Sequence, residues 1–179
     1  MTIETFAPTK IQQQRNGLAN IGIAQLKHMR NKGLQACFNR IDEMRFHREF
    51  VARIHGKTFI NDAASRTPNA TWYTLESSEG PIIWIANANS DTQDLSKMVQ
   101  AANSKVQMII GVGPNMAPIE KAFSGIVPRI IHTDSLNSAV NKALYNDLGE
   151  ANVIFSPAAE CLVNATVQGE EFNYAVNEL

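Results

Sequence analysis

The chain has little of what usually announces a function. It holds two cysteines in 179 residues, Cys37 and Cys161, far apart and matching no metal-ligand spacing. Its four histidines, at positions 28, 47, 55 and 132, lack the i,i+4 spacing of a helical metal site, so surface or supporting roles are expected of them and no metal is assigned. A formal net charge of −1 and a pI near 6.4 give no global field for nucleic acid or an anionic membrane. No apolar run is long enough to span a bilayer and nothing resembles a signal peptide, so the chain reads as cytoplasmic, with no membrane insertion. A complete phosphate loop is also missing. His55-Gly56-Lys57-Thr58 echoes one, but Val51 stands where the first glycine is required and an apolar strand follows instead of a helix. "GVGPN" at 111–115 follows a strand, yet it lacks the third glycine of a dinucleotide fingerprint, and Pro114 with Pro118 should interrupt the helix start. Cys161 has no base beside it in sequence and reads as a packed thiol.

What the chain does have is enough apolar material for one ordinary core, at 44% hydrophobic and 18% charged residues. Residues 1–12 show no sustained periodicity and read as an arm. Leu18, Ile21, Leu26 and Met29, then Leu34, Cys37, Phe38, Ile41 and Met44, form two helical stripes separated by Asn31-Lys32-Gly33, which predicts a helical hairpin. "EFVARIHGKTFIND" reads as two short strands turning at His55-Gly56. The continuous apolar runs at 82–87, 106–113, 129–133 and 152–157 suit strands buried on both faces. Between them lie helical spacings: Leu95, Met98, Val99 and Ala102, then Leu136, Ala139, Val140, Ala143 and Leu144, with Asp134 or Ser135 as N-cap and Gly149 after the end. A last helix carries Phe172, Ala175, Val176 and Leu179. The fold expected is α/β: a Rossmann-like, mainly parallel sheet of about six strands with one antiparallel edge strand and helices on both faces, preceded by the helical hairpin. Ligands bind such sheets outside the carboxyl ends of the strands, which directs attention to Asp62, to 87–91, to 111–115 and to 156–161.

In order, "FHREFV", "FINDAASRTPNATWYTLES", "IIWIAN", "DLSKM", "AVNKAL", "VIFSP" and "GEEF" resemble the C-terminal domain of the Mur ligases. The likeness is greatest to the branch that adds D-glutamate to the peptidoglycan precursor with ATP. It runs from about Arg45 to Leu179, and Arg15-Asn16 is similar to a His-Asn near the end of the family's central domain. The resemblance divides the chain into an arm (1–12), a helical stub like the end of that central domain (13–46) and a C-terminal-like domain (47–179).

The same resemblance implies roles for single residues. Arg48 matches an arginine that contacts nucleotide phosphate, Asp62 an aspartate that holds the ATP ribose, and Asn16 an asparagine beside the ATP; ATP or ADP is thus the candidate cofactor. On the acceptor side, Ala64 replaces a lysine and Arg66 a threonine, Asn87 a glycine, and Ser90 stands near a second lysine. Ser156 is retained, but the loop after it, with Cys161 and Leu162, is shorter and lacks an aromatic. A charge-assisted clamp on the acceptor becomes neutral. No UDP-binding domain and no G-T-N-G-K-T loop are visible in these residues, so ligation by this chain alone is not expected, since phosphoryl transfer needs a phosphate cradle and metal. Two classes follow: a non-catalytic binding, scaffolding or regulatory protein, or an ATP-dependent ligase domain acting with a separate ATPase subunit. Expected partners are a nucleotide, an acidic amino acid, and another protein or a second copy held by Leu18, Ile21, Leu34 or Phe38, unless that apolar face folds back onto the sheet, the alternative of equal standing. The alternative roles of Arg48 and Asp62 are to pair with each other or to cap a helix.

Overall fold

The described part of the computed structural model, residues 45–89, 94–159 and 163–179, begins with an antiparallel hairpin of β1 (Glu49–Ile54) and β2 (Lys57–Asn61). His55 and Gly56 turn it with φ of 47° and 80°, so both central residues take the left-handed conformation that a tight hairpin turn requires. From β2 the chain winds through α1 (Pro68–Ser77), β3 (Ile82–Asn87), a single 3₁₀ turn (Ser96–Met98) running into α2 (Val99–Lys105), and β4 (Val106–Val112). It continues through α3 (Ala117–Phe123), β5 (Arg129–Thr133), α4 (Leu136–Leu144), β6 (Ala151–Phe155) and α5 (Ala165–Asn177). The expected arm (1–12) and the expected helical hairpin up to Met44, with Asn16, and also Ser90, Cys161 and Leu162, lie outside the described residues.

The sheet order is β1-β2-β6-β3-β4-β5, parallel except for the β1–β2 pair. The chain steps outward from β2 to β3, β4 and β5, then returns through α4 to place β6 between β2 and β3. The outward crossovers put α1, α2 and α3 on one face, while the return puts α4 on the other, as one handedness of crossover demands. Alternation along β3 supplies both cores. Ile82, Trp84 and Ala86 pack with Leu75, Met98 and Phe123, whereas Ile83 and Ile85 pack with Val140, Phe155 and Phe172. Trp84 meets Phe123 edge to face with centroids 5.5 Å apart, and Phe155 stacks on Phe172 at 5.2 Å. Each such fully buried aromatic contributes about 2–3 kcal/mol of apolar burial.

Three expectations need correction. β5 is an edge strand with half-buried residues, so its apolar run does not indicate burial on both faces. Gly149 does not end α4: the helix stops at Leu144, and the Asn146 side-chain amide donates to the carbonyls of Lys142 (3.3 Å) and Ala143 (2.5 Å). Pro118 does not interrupt α3 but sits in its first turn, where a missing N–H costs nothing. Ser135 is the N-cap of α4, accepting from the Ser138 N–H at 3.2 Å.

Candidate functional site

The carboxyl ends of β2, β6 and β3 converge on a buried polar cluster. Asp62, one residue past β2, has its backbone N–H bonded to the Phe155 carbonyl (2.8 Å), and its side chain is fully buried. Oδ2 accepts from Ser156 Oγ at 2.9 Å, and Oδ1 accepts from the backbone N–H of Arg48 at 3.3 Å. His47 Nδ1 lies 3.9 Å from Oδ1, beyond hydrogen-bonding distance. Ser156 Oγ in turn meets Thr71 Oγ1 at 2.8 Å, and Thr71 Oγ1 donates to the Ser65 carbonyl at 3.2 Å. Burial pushes the Asp62 carboxyl upward from the usual carboxylate range, with the surrounding hydroxyls and His47 opposing it.

Backbone strain gathers around this cluster. Phe46, Arg48 and Ala158 have φ of 67°, 52° and 57°, and each lies in a segment bonded to the loop after β2. Ala64 N–H donates to the Phe46 carbonyl, Arg48 N–H to Asp62, and Ala158 N–H to the Ser65 carbonyl. Phe46 is pressed onto Gly169 of α5, where a Cβ would lie 2.5 Å from the ring. Non-glycine residues in this region of φ persist only when their surroundings over-determine them.

The sequence-derived site residues fall into two groups. Asp62 and Ser156 meet directly. The Arg48 guanidinium does not pair with Asp62; it is exposed and lies 5.9 Å from the Tyr73 ring centroid, so only its backbone serves the carboxylate. Ala64 and Arg66 are half-buried in the loop before α1, with Arg66 Nη2 donating to the Val163 carbonyl at 3.3 Å. Asn87 is buried at the end of β3, and its amide clasps Gln168 of α5: Nδ2 donates to Oε1 at 3.3 Å and Oδ1 accepts from Nε2 at 3.5 Å. A second amide, Asn61, donates to the Gly169 carbonyl (2.8 Å) and to Asn173 Oδ1 (2.7 Å), fixing α5 across the ends of β2 and β3. Sequence reasoning missed Thr71, Ser65 and Gln168. "GKT" proves to be strand: Lys57 opens β2, buried, with Nζ donating to the carbonyls of Leu148 and Gly149. Among the described residues, no group of three or more His, Cys, Asp or Glu could hold a metal, and no helix is long and apolar enough to cross a membrane.

No family model matches the chain. Curated relatives do. A UDP-N-acetylmuramoylalanine–D-glutamate ligase of Christiangramia forsetii is 30% identical over 169 residues, which are 92% of this chain and 38% of that protein. A ligase of the same name from Porphyromonas gingivalis is 26% identical, covering 100% of this chain and 40% of its own length. The chain is a homologue of the D-glutamate-adding Mur ligases. It spans about two fifths of the length of the ligases it matches. Solved structures agree on the fold alone. A domain described as from a UDP-N-acetylmuramate:L-alanyl-γ-D-glutamyl-diaminopimelate ligase of Haemophilus ducreyi gives a TM-score of 0.50 at 8% identity, covering 72% of this chain and 98% of its own. A murein peptide ligase of Psychrobacter arcticus gives 0.52 at 14% identity, covering 75% and 30%. The six-stranded, mainly parallel sheet is that of a Mur ligase C-terminal domain. The polar cluster around Asp62 lies at the carboxyl ends of the strands, the end at which open α/β sheets as a class take ligands.

Proposed function

We propose that this chain is a non-catalytic relative of the D-glutamate-adding Mur ligases, with a binding, scaffolding or regulatory role linked to peptidoglycan synthesis in the cytoplasm. The observation that carries this reading is the Asn87–Gln168 clasp. Asn87 stands where the family resemblance calls for a glycine, a residue that leaves room for close approach to the backbone. Here the position is filled by an amide that is buried and bonded to α5. Ala64 adds a second loss, since a methyl group cannot supply the charged donor that a lysine offers an anion.

A second reading is kept because of the strained turns at Phe46, Arg48 and Ala158. Strain concentrated around one carboxylate is a mark of functional sites. On that reading the domain, with Arg48 and Asp62 toward ATP or ADP, completes an ADP-forming D-glutamate ligase with a separate ATPase subunit. Thermal-shift titration of the full chain with ATP, ADP and D-glutamate separates the two. The expected result is no saturable shift from any of them, which leaves a protein-interaction role. A saturable shift with D-glutamate overturns the non-catalytic reading, and one with ATP or ADP alone moves the nucleotide side from vestigial to working.

A further inference from the structure

The groups that the carboxyl ends of the strands would offer a ligand are shut away from solvent. Asp62 and Ser156 are fully buried, and Asn87 is 2% exposed. The backbone N–H of Arg48 lies on Asp62 Oδ1, and Gln168 of α5 bonds both polar atoms of the Asn87 amide. Phe46 joins these two covers. Its ring fills the notch left by Gly169, the residue after Gln168, and its carbonyl accepts from the Ala64 N–H in the loop after β2 at 3.2 Å. Beside it, Arg45 Nη1 meets Glu170 Oε1 of α5 at 3.2 Å, and the guanidinium lies 4.8 Å from the Phe46 ring centroid. Residues 45–48 are therefore fastened to α5 on one side and to the loop after β2 on the other.

We infer that residues 45–48 are a strap that holds the candidate site closed, with Phe46 as its plug, and that displacing the plug frees the first turn of α5 and the loop after β2 together while the sheet stays formed.

A strap must hold, and it must be able to let go. Phe46 and Arg48 both have positive φ, at 67° and 52°, a conformation their side chains disfavour, so release relieves strain in the strap itself. Its polar links are few and long. Phe46 N–H reaches Glu49 at 3.2 Å, Arg48 N–H reaches Asp62 at 3.3 Å, and water screens the exposed Arg45–Glu170 pair. What chiefly opposes release is the burial of one aromatic ring, 3% exposed. The sheet, by contrast, has a core on each face and a ladder on both sides of every inner strand. Asn61 holds α5 at the Gly169 carbonyl and at Asn173 with shorter bonds of 2.8 and 2.7 Å. The part free to swing is therefore the turn before Gly169, which carries Gln168 and its long bonds of 3.3 and 3.5 Å to Asn87. A closed site rests on the reading that ligands approach at the carboxyl ends. Thermal shift tests the ligands and the exchange experiment below tests the strap, so either can fail alone.

The deciding measurement is native-state hydrogen exchange of the full 179-residue chain in sub-denaturing urea, read at two amides that do not bond to the strap. Ala158 N–H donates to the Ser65 carbonyl in the loop after β2, and Gln168 N–H donates to the Asn164 carbonyl in the first turn of α5. The expected result is one opening shared by these two with the Arg48 and Ala64 amides. It should be about tenfold or more frequent than the opening that exposes the Trp84 amide of β3 and the Ile109 amide of β4. Gly169→Ala should accelerate all four about tenfold, because a Cβ there lies 2.5 Å from the ring and expels it, although alanine for glycine inside a helix would by itself slow them. In a Phe46→Ala background the same substitution should accelerate none of them, since no ring is left to meet the methyl group. Exchange of Ala158 and Gln168 in wild type only together with the β3 and β4 amides overturns the inference whether or not the variants fold. So does a Gly169→Ala protein in which Arg48 and Ala64 alone respond, in which none of the four is accelerated, or in which the acceleration persists without the ring.

Discussion

The two ends of the sheet each bury an ionisable group, and they hold it in different ways. At the carboxyl ends of the strands, Asp62 meets a backbone N–H from the turn before β1 and a hydroxyl from the segment after β6, which is bonded in turn to a hydroxyl of α1. At the amino ends, Lys57 is held by the carbonyls of Leu148 and Gly149, both from the single loop that leads into β6. Hydroxyls can reorganise when a proton arrives or leaves; carbonyls only accept. The Asp62 end is also the strained one, with Phe46, Arg48 and Ala158 all at positive φ, whereas positive φ near Lys57 belongs to the ordinary hairpin turn of His55 and Gly56. One end is built as a cluster joining several segments, the other as a clip on one loop.

The largest effect should come from breaking the cluster at its anchor. Phe46 is almost fully buried, at 3%, against Gly169, and it holds the turn that brings Arg48 N–H to Asp62. Phe46→Ala is expected to cost about 3 kcal/mol in urea unfolding. It should also speed hydrogen exchange at the Arg48 amide, whose N–H donates to Asp62. A loss below about 1 kcal/mol would mean that the turn holds itself, and that the strain is not paid for by packing.

Next in size is the clip. Lys57→Met keeps the bulk of the stem but leaves two carbonyls without their donor, at about 1–2 kcal/mol, partly offset because an ammonium no longer has to be buried. A net loss of about 1 kcal/mol at pH 7 is expected. Its pH dependence carries the sharper test. Burial lowers the Lys57 pKa, with Asp147 opposing, so the stability linked to this group is present above the ordinary lysine value and lost as pH falls through the folded-state value. Wild type should gain stability on Lys57 as pH climbs toward the ordinary lysine range, and Lys57→Met should lack that gain. An equal rise in both proteins would show that Lys57 is solvated.

These two ends were unequally legible. The strands stood out because runs such as "IIWIAN" are buried throughout, as β3 is, and the His55-Gly56 turn carries its own conformational signature. The order β2-β6-β3 was not legible, because it depends on where the return crossover lands and not on any local pattern. Asp62 and Ser156 were both identified, 94 positions apart, through family resemblance; their contact with each other required the fold. Asn87 was flagged as a lost glycine, but its partner Gln168 lies 81 positions away in an unremarkable stretch of α5. Thr71 looked like one more residue in a helix with many hydroxyls. Local rules misled where a side chain did the work assigned to the backbone, as with Asn146 ending α4 in place of Gly149.

The smallest effect tests whether the amino end is electrostatically idle beyond Lys57. Arg53 Nη2 meets Glu150 Oε1 at 3.0 Å, beside a cavity of about 340 Å³ that also touches Gly56, Thr58 and Asn152. Both partners are well exposed, at 58% and 81% of their side chains, so water screens the pair and holding two long side chains together costs entropy. Arg53→Ala is therefore expected to change Tm by less than about 1 °C in 0.15 M salt, with no dependence on salt beyond that of wild type. A larger drop, growing as salt is lowered, would mean that Arg53 and Glu150 act together with Lys57 and Asp147. The amino end would then be a charge network, and the contrast with the hydroxyl cluster around Asp62 would lie in the sign and reach of the charges instead of in the number of segments joined.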